Sequence, residues 1–388
     1  MNSFFVIFFM YWVMEKIIHK AYKFRLAPTA EQQAYLAVQF GHCRFVFNHF
    51  LNLRIQTYAE TGKGLSYAAL CKQLTSLKQQ GETKWLSEAY SQTLQQSLRD
   101  LDTAYNNFFN KRAKFPSFKK KSNRQSCRIP QGFEIIDRSV KLPKFAEPFK
   151  FRKHREIKGT VKHISISKEP SGQYFIAFNV EELVDVPEPK TKKAVGIDLG
   201  LKHFAVLSDG AKVSAPNFYR ASELRLQRAQ RRLSKKIKGS RNRDKARLQV
   251  SKIHRDIRNA RTNFLHQLSH RTTDENQVIV LESLNIAGMI RNHHLAKSIS
   301  DCSWSEFVRQ LKYKSEWKGG TVIEAGRFYP SSKRCSKCGN AKQALKLSER
   351  VWICEHCHTE HDRDINAAKN LLKFALREQG DPKCNEPQ

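Results

Sequence analysis

Cys335-Ser336-Lys337-Cys338, fifteen intervening residues, Cys354-Glu355-His356-Cys357, and then His361-Asp362-Arg363-Asp364-Ile365-Asn366-Ala367-Ala368-Lys369-Asn370 form the stretch that decides the fold. Two CxxC pairs about 15–20 residues apart have the spacing of a tetrahedral four-thiolate zinc site. Gly339 after the first pair suits the tight turn, whereas His358 stands at the matching place after the second. His356 or His358 could substitute as a ligand, but Cys335, Cys338, Cys354 and Cys357 are the simpler set. With all four positions filled, such a zinc is structural and leaves no open coordination position for chemistry. Asp364 precedes an apolar helical pattern of Ile365, Ala368, Leu371, Leu372 and Ala375. An Asp there reads first as a helix N-cap, and gains other meaning only if further carboxylates join it.

Working outward, 69 Lys and Arg stand against 36 acids among 388 residues, a formal charge of +33. An excess this large points to a polyanion partner, nucleic acid before an anionic membrane. The length accommodates about two to three domains. Of nine cysteines, five (Cys43, Cys71, Cys127, Cys302, Cys384) are scattered singles, which fits a reducing cytoplasm rather than secretion. Residues 1–13 (MNSFFVIFFMYWV) are apolar but too short to span a bilayer and lack a signal-peptide pattern. They read as a misassigned start or a disordered extension before Met14, with weak membrane association as the alternative.

Residues 16–26 alternate as a strand, and Thr29 to Gln32 reads as a capping box opening a helix. Helical stripes follow to about 113: Leu36, Phe40, Cys43, Phe47 and Phe50 on one, Leu94, Leu98, Leu101, Tyr105 and Phe108 on another. These are core positions. Phe115-Pro116-Ser117-Phe118 beside Lys119, Lys120 and Lys121 suits phosphate contact or base stacking, or simply a solvated basic run. Strands dominate 127–182, including a hairpin at 161–180 across Glu169-Pro170-Ser171-Gly172. The Pro-rich stretch 186–190 reads as a linker, with a domain boundary near 188.

Beyond it, Ala194–Gly200 and His203–Leu207 predict adjacent antiparallel strands with Asp198 near the end of the first. Residues 220–261 carry sixteen Lys/Arg against three acids. The spacing of Leu224, Ala229, Leu233, Leu248 and Ile253 predicts a basic helical pair around Gly239. Arg228, Arg231, Arg232, Lys235 and Lys236 are its candidate phosphate contacts. Val278–Leu281 is a buried-type strand ending at Glu282, 295–317 reads as one helix, and 322–324 as a strand. Asp198, Glu282 and Asp364 thus form a set of three carboxylates at element ends. Such a set suits an RNase H-like site, in which oxygen ligands hold two divalent ions about 3.5–4 Å apart for phosphodiester hydrolysis. Asp362 is a near neighbour that competes with Asp364, and Arg350 or Arg363 could neutralise charge on phosphate.

The segments GIDLG at 196–200, VLESL at 280–284, SSKRCSKCG at 331–339, HDRDINAAKN at 361–370 and HKAYKFRLAPTAEQ at 19–32 resemble the TnpB (OrfB) proteins of bacterial insertion sequences. The likeness covers about residues 14–375, in the family's motif order. It implies an RNA-guided DNA endonuclease related to the single-effector type V CRISPR nucleases. Its implied partners are a guide RNA from its own element and double-stranded and displaced single-stranded DNA.

The implied fold is multidomain α+β and α/β. A strand-rich, β-barrel-like wedge domain (14–28 and 121–187) is interrupted by a helical recognition bundle (29–120). An RNase H-like RuvC domain follows (188–334, with basic helices at 220–270), then the zinc ribbon (335–360), the last RuvC helix (361–376) and a flexible tail (377–388). The implied catalytic, Mg²⁺-binding triad is Asp198, Glu282 and Asp364, and the implied Zn²⁺ ligands are the four cysteines. The departures are the extension before Met14 and His358 where the family has Gly. Competing expectations are a transposase that joins strands itself and a guided binder that does not cut. A tyrosine-nucleophile mechanism is disfavoured, because the HxH of His356-Cys357-His358 has its middle residue in the zinc quartet.

Overall fold

The computed structural model describes residues 15–185, 191–346 and 348–378. The apolar start, the 186–190 linker and the tail beyond 378 lie outside the described residues. The chain divides into two compact units, one spanning Glu15–Val184 and one beginning at Asp185.

In the first unit, strand β1 (Glu15–Leu26) leads into α1 (Ala30–Thr61). Thr29 accepts from the Gln32 amide while the Gln32 side chain accepts from the Thr29 amide, so the capping box is formed. Helices α2 (Tyr67–Leu77) and α3 (Ser91–Phe109) follow, then β2 (Gln125–Ile129), β3 (Glu134–Ile136), β4 (Ser139–Lys141), β5 (Phe149–Lys150), β6 (Thr160–Lys168) and β7 (Tyr174–Asp185). The strands form a four-stranded sheet in the order β1-β7-β6-β2 and a three-stranded sheet β3-β4-β5. The expected barrel-like body is therefore two sheets, bridged at Leu26 and Phe151. The apolar stripe of α1 serves two cores. Leu36, Phe40 and Cys43 pack with the strands, and Val46, Phe47, Phe50 and Leu51 pack with α2 and α3.

The second unit contains β8 (Ala194–Leu199), β9 (His203–Leu207), β10 (Lys212–Ser214), α4 (Phe218–Ser234), α5 (Arg241–Glu275), β11 (Val278–Glu282), α6 (Ile286–Met289), α7 (Ala296–Cys302), α8 (Trp304–Trp317), β12 (Thr321–Ala325), β13 (Val351–Ile353), β14 (Glu360–Asp362) and α9 (Arg363–Glu378). Its main sheet has the order β10-β9-β8-β11-β12. The β8–β9 pairing is antiparallel, whereas β11 runs parallel to both β8 and β12. Alternation along the strands sends Val195, Ile197, Ile279 and Leu281 into a core with α5, α7 and α8. Val280, Ile323 and Ala325 face the other way, toward Leu371 and Ala375 of α9. One helix over 295–317 was expected, but two are found, because Ser303 turns left-handed (φ 54°) between α7 and α8. The seam of the basic hairpin also differs from the expected one. Leu226, Ala229, Ile253 and Ile257 fill it, at i,i+3 and i,i+4 spacing, while Leu224 and Leu248 face solvent.

The closest approach in this unit is at Gly196. A Cβ there would lie 2.0 Å from the Ala368 carbonyl oxygen and 2.7 Å from the Leu372 amide nitrogen. Only a residue without a side chain lets α9 sit this low on the central strand. Gly196→Ala is expected to destabilise the fold by about 3 kcal/mol or more through overpacking against backbone. Denaturant titration measures the loss, and hydrogen exchange is expected to localise it to α9. A variant as stable as the parent would contradict this contact.

Candidate active site and metal centre

Strands β8 and β11 are in register, with Gly196 beside Val280 and Ile197 beside Leu281. One further step sets Asp198 beside Glu282 at the C-terminal ends of two parallel neighbours. Alternation gives Asp198 the parity of Gly196, on the α9 side of the sheet, while Glu282, the last residue of β11, also lines a pocket with Leu199, Trp304, Val308 and Lys312 on the α8 side. Asp364 lies in the first turn of α9. It is four residues before Ala368, so about 6 Å along the helix axis from the carbonyl resting on Gly196. The contact that requires glycine therefore also sets the height of Asp364 over the strand ends.

The electrostatics agree with this placement. Burial pushes the Asp198 carboxyl from 3.8 up to about 7, and the charges of Asp364 and Glu282 push the same way, opposed by Arg363 and Arg350. Burial also raises Glu282. Arg350 donates to Asp364 Oδ1 at 3.2 Å. Carboxylates are the ligands that hard cations such as Mg²⁺ take; among the described residues, however, only the four cysteines have their ligand atoms all within 4.8 Å of one another.

Asp362, the competitor of Asp364, has a different task. Its Oδ1 accepts from the Asp364 and Ile365 amides at 3.0 and 3.1 Å, which caps α9. Its other oxygen takes the Lys212 ammonium at 2.7 Å. Partial burial acts to raise its pKa, but the Lys212 bond and the two amides hold it below the ordinary carboxylate value. The N-cap expected at Asp364 is thus filled by Asp362, leaving Asp364 inside the first turn.

The four cysteine sulfurs lie within 4.8 Å of one another, with Cys335–Cys357 and Cys338–Cys354 each at 3.6 Å. Tetrahedral bonds of about 2.3 Å place sulfurs about 3.8 Å apart, so the thiols fit a zinc ion. Gly339 and His358 occupy equivalent turns after the two knuckles, both at positive φ (80° and 52°). That is why glycine suits this position and why His358 carries backbone strain. His358 and His356 are outside the cysteine cluster, while His361 Nε2 lies 3.0 Å from Cys335 Sγ.

The ribbon and α9 are one continuous piece. Strands β13 and β14 pair antiparallel, and β14 runs directly into α9. Buried Asn366 and Asn370, four residues apart on α9, hold the chain entering the first knuckle. Asn366 bonds the Ser336 amide at 2.9 Å and the Arg334 carbonyl at 2.7 Å, and Asn370 bonds the Ser331 carbonyl at 2.8 Å. Composition and charge gave no hint of these two residues. Their i,i+4 spacing beside the alanines that face the sheet was the available signal.

The basic residues divide. Arg228, Arg231, Arg232, Lys235 and Lys236 are all exposed on or just after α4. Lys120 and Lys121 are also exposed. Lys119 is exposed as well, but its ammonium lies 3.8 Å from the Phe47 ring centroid, and burial lowers its pKa. Asn48 clamps its backbone at 2.7 and 3.0 Å. Phe115 packs edge-on against Tyr105 and Phe108, yet both it and Phe118 are about half exposed.

Three family descriptions match this chain: "Probable transposase" (OrfB of IS605) over residues 177–293, "Cas12f1-like, TNB domain" over 304–371, and "Helix-turn-helix domain" over 14–63. A Streptomyces pristinaespiralis protein named "Putative RNA-guided DNA endonuclease" is 38% identical over 94% of this chain and 91% of its own length. The chain belongs to the TnpB (OrfB) family. The Escherichia coli K12 family member InsQ, which bears the same description, is 34% identical over 91% of both chains. The fold is shared with Cas12f1 in a cryo-EM structure of its complex with guide RNA and target DNA. That match has a TM-score of 0.56 at 12% identity and covers 92% of this chain and 98% of the other. Among the described residues, no helix is long and apolar enough to cross a membrane.

Two outcomes are expected of this site. In metal-free protein the raised Asp198 takes up a proton on folding between pH about 4 and 7. Its stabilising contribution is therefore complete at low pH and lost as pH rises through 7. Asp198→Asn should flatten that decline in melts run from pH 4 to 8, and an unchanged slope would contradict the assignment. Cys354→Ala should lose zinc and expose the β13–β14 hairpin and the first turn of α9 to hydrogen exchange, since structural zinc binding is coupled to folding. Zinc content measured by mass spectrometry provides the check.

Proposed function

We propose that this chain is an RNA-guided DNA endonuclease of an insertion sequence, cutting target DNA in a RuvC-type site on Asp198, Glu282 and Asp364. What supports this reading is buried Asp198 lying close enough to Asp364 and Glu282 to feel both charges, at the ends of two strands paired in register. The names of the full-length relatives and the fold shared with Cas12f1 support it. The second unit is read as RuvC with the zinc ribbon inserted before its last helix. The first unit is read as the wedge and helical recognition domains that hold the guide RNA.

Asp198, Glu282 and Asp364 would hold two Mg²⁺ ions, which when bound supply an activated water and stabilise the leaving oxygen. The protein's own part is positioning. Parallel register fixes Asp198 against Glu282, and Asp362, by capping α9, holds Asp364 in its first turn. The raised Asp198 carboxyl would give up its proton more readily were a cation held beside it. Arg350 pairs with Asp364 at 3.2 Å and would bring a positive charge to a phosphate lying beside that carboxylate. The exposed arginines and lysines of α4 supply phosphate-backbone affinity that weakens with salt.

Asp198→Ala is expected to reduce Mg²⁺-dependent cleavage of guide-matched DNA by about a thousandfold or more. RNA binding should be unchanged, because the α4 surface is untouched. The assay uses protein purified with RNA from its native locus and a target library randomised beside the match. Joined products in place of cut ends would favour a strand transferase, and binding without cutting by the parent chain would favour a guided repressor.

A further inference from the structure

Phe328 is 92% exposed, more than any other large apolar side chain described. A solvated Phe on a loose loop carries little meaning, but this one is held on both sides. Before it, β12 ends at Ala325, which is in register with Glu282 and accepts from the Ser283 amide at 3.1 Å. After it, the Tyr329 hydroxyl donates to the Asn370 carbonyl at 3.1 Å, and its ring packs on Phe374 at 5.0 Å. The Tyr329 amide bonds the Gly326 carbonyl at 2.9 Å, closing a four-residue turn. Arg327 and Phe328 are the two central residues of that turn, and both are exposed.

A fixed turn thus presents a cation and a bare aromatic ring side by side. Phe328 is three residues past the strand position adjacent to Glu282, a reach of about 10 Å at most. Leaving a Phe side chain out of the core forgoes the hydrophobic gain of burying it, and a fixed turn gives the ring nothing in return unless something stacks on it. The chemistry suited to a ring beside a guanidinium is unpaired nucleic acid, whose bases stack on aromatics while its phosphates meet cations. A duplex would offer the ring no open base face.

We propose that Arg327 and Phe328 form a finger that holds the single-stranded DNA flanking the bond to be cut, Phe328 stacking on one base and Arg327 meeting an adjacent phosphate. This rests on the nuclease reading above and adds positioning residues to it. The finger sets which phosphodiester lies over the carboxylates.

The test uses protein purified with its own RNA and target DNA carrying 2-aminopurine at successive positions around the cut. In an Asp198→Asn background, one position should be quenched on binding. That quenching should be lost in Phe328→Ala and kept in Phe328→Trp. With Asp198 intact, Phe328→Ala should lower kcat/KM by about 5- to 100-fold and spread the cut positions. Its melting temperature should not change, since the ring contributes almost no burial. Equal quenching and an unchanged cut pattern in Phe328→Ala would overturn the finger. If Asp198→Asn still cuts, the nuclease site is misassigned whatever the fluorescence does. If it is silent while Phe328→Ala behaves as the parent, only the finger falls.

Discussion

Backbone meeting backbone at Gly196 is the constraint on which the second unit depends. The central strand and the last helix come closer there than any side chain permits, and two buried alanines, Ala367 and Ala368, give the helix a flat underside. Helix–sheet packing usually leaves room for side chains on both partners, and small errors in their packing are absorbed by rotamer changes. Contact without side chains has no such slack. It fixes the height of α9 over the sheet, and with it the place of every residue in the first turn of that helix.

The zinc ribbon acts on the same helix from the other end. Thiolates that repel one another need the ion to bring them together, so folding of the ribbon waits on metal. Once folded, β14 delivers Asp362 as a cap, and Asn366 and Asn370 fasten the incoming strand to the helix. A zinc ion held by the four cysteines, though without an open coordination position, would thereby govern whether the helix carrying Asp364 begins where it should. The arrangement also explains why the acidic segment follows the second knuckle so closely: any slack between Cys357 and Asp362 would loosen the cap.

Much of this was legible in the sequence because the signals were local. The Thr29–Gln32 box, the Pro170–Gly172 turn of the hairpin and the paired CxxC knuckles each need only a few neighbouring residues to be recognised. What escaped involved partners distant in the chain. Nothing near Lys119 in the sequence announces that its ammonium lies over Phe47. Asp362 and Asp364 could not be ranked without Lys212, which is far away in the chain. Leu224 and Leu248 matched a helical stripe, yet the seam follows Leu226 and Ile257, because a two-helix hairpin chooses its contact face by where the helices cross. The break at Ser303 has no Gly or Pro to mark it, since a serine took the left-handed turn. Gly196 was visible as a residue, but its role required α9 to be in place.

The asparagine pair on α9 has one more consequence. It fastens the strand that enters the ribbon, and the β13–β14 hairpin fastens the strand that leaves it. The chain between the two knuckles is therefore secured at both ends. Lengthening or shortening it changes closure entropy only slowly with loop size, and neither moorage moves. A change of length between the knuckles is accordingly expected to leave the helix carrying Asp364 in place over the strand ends.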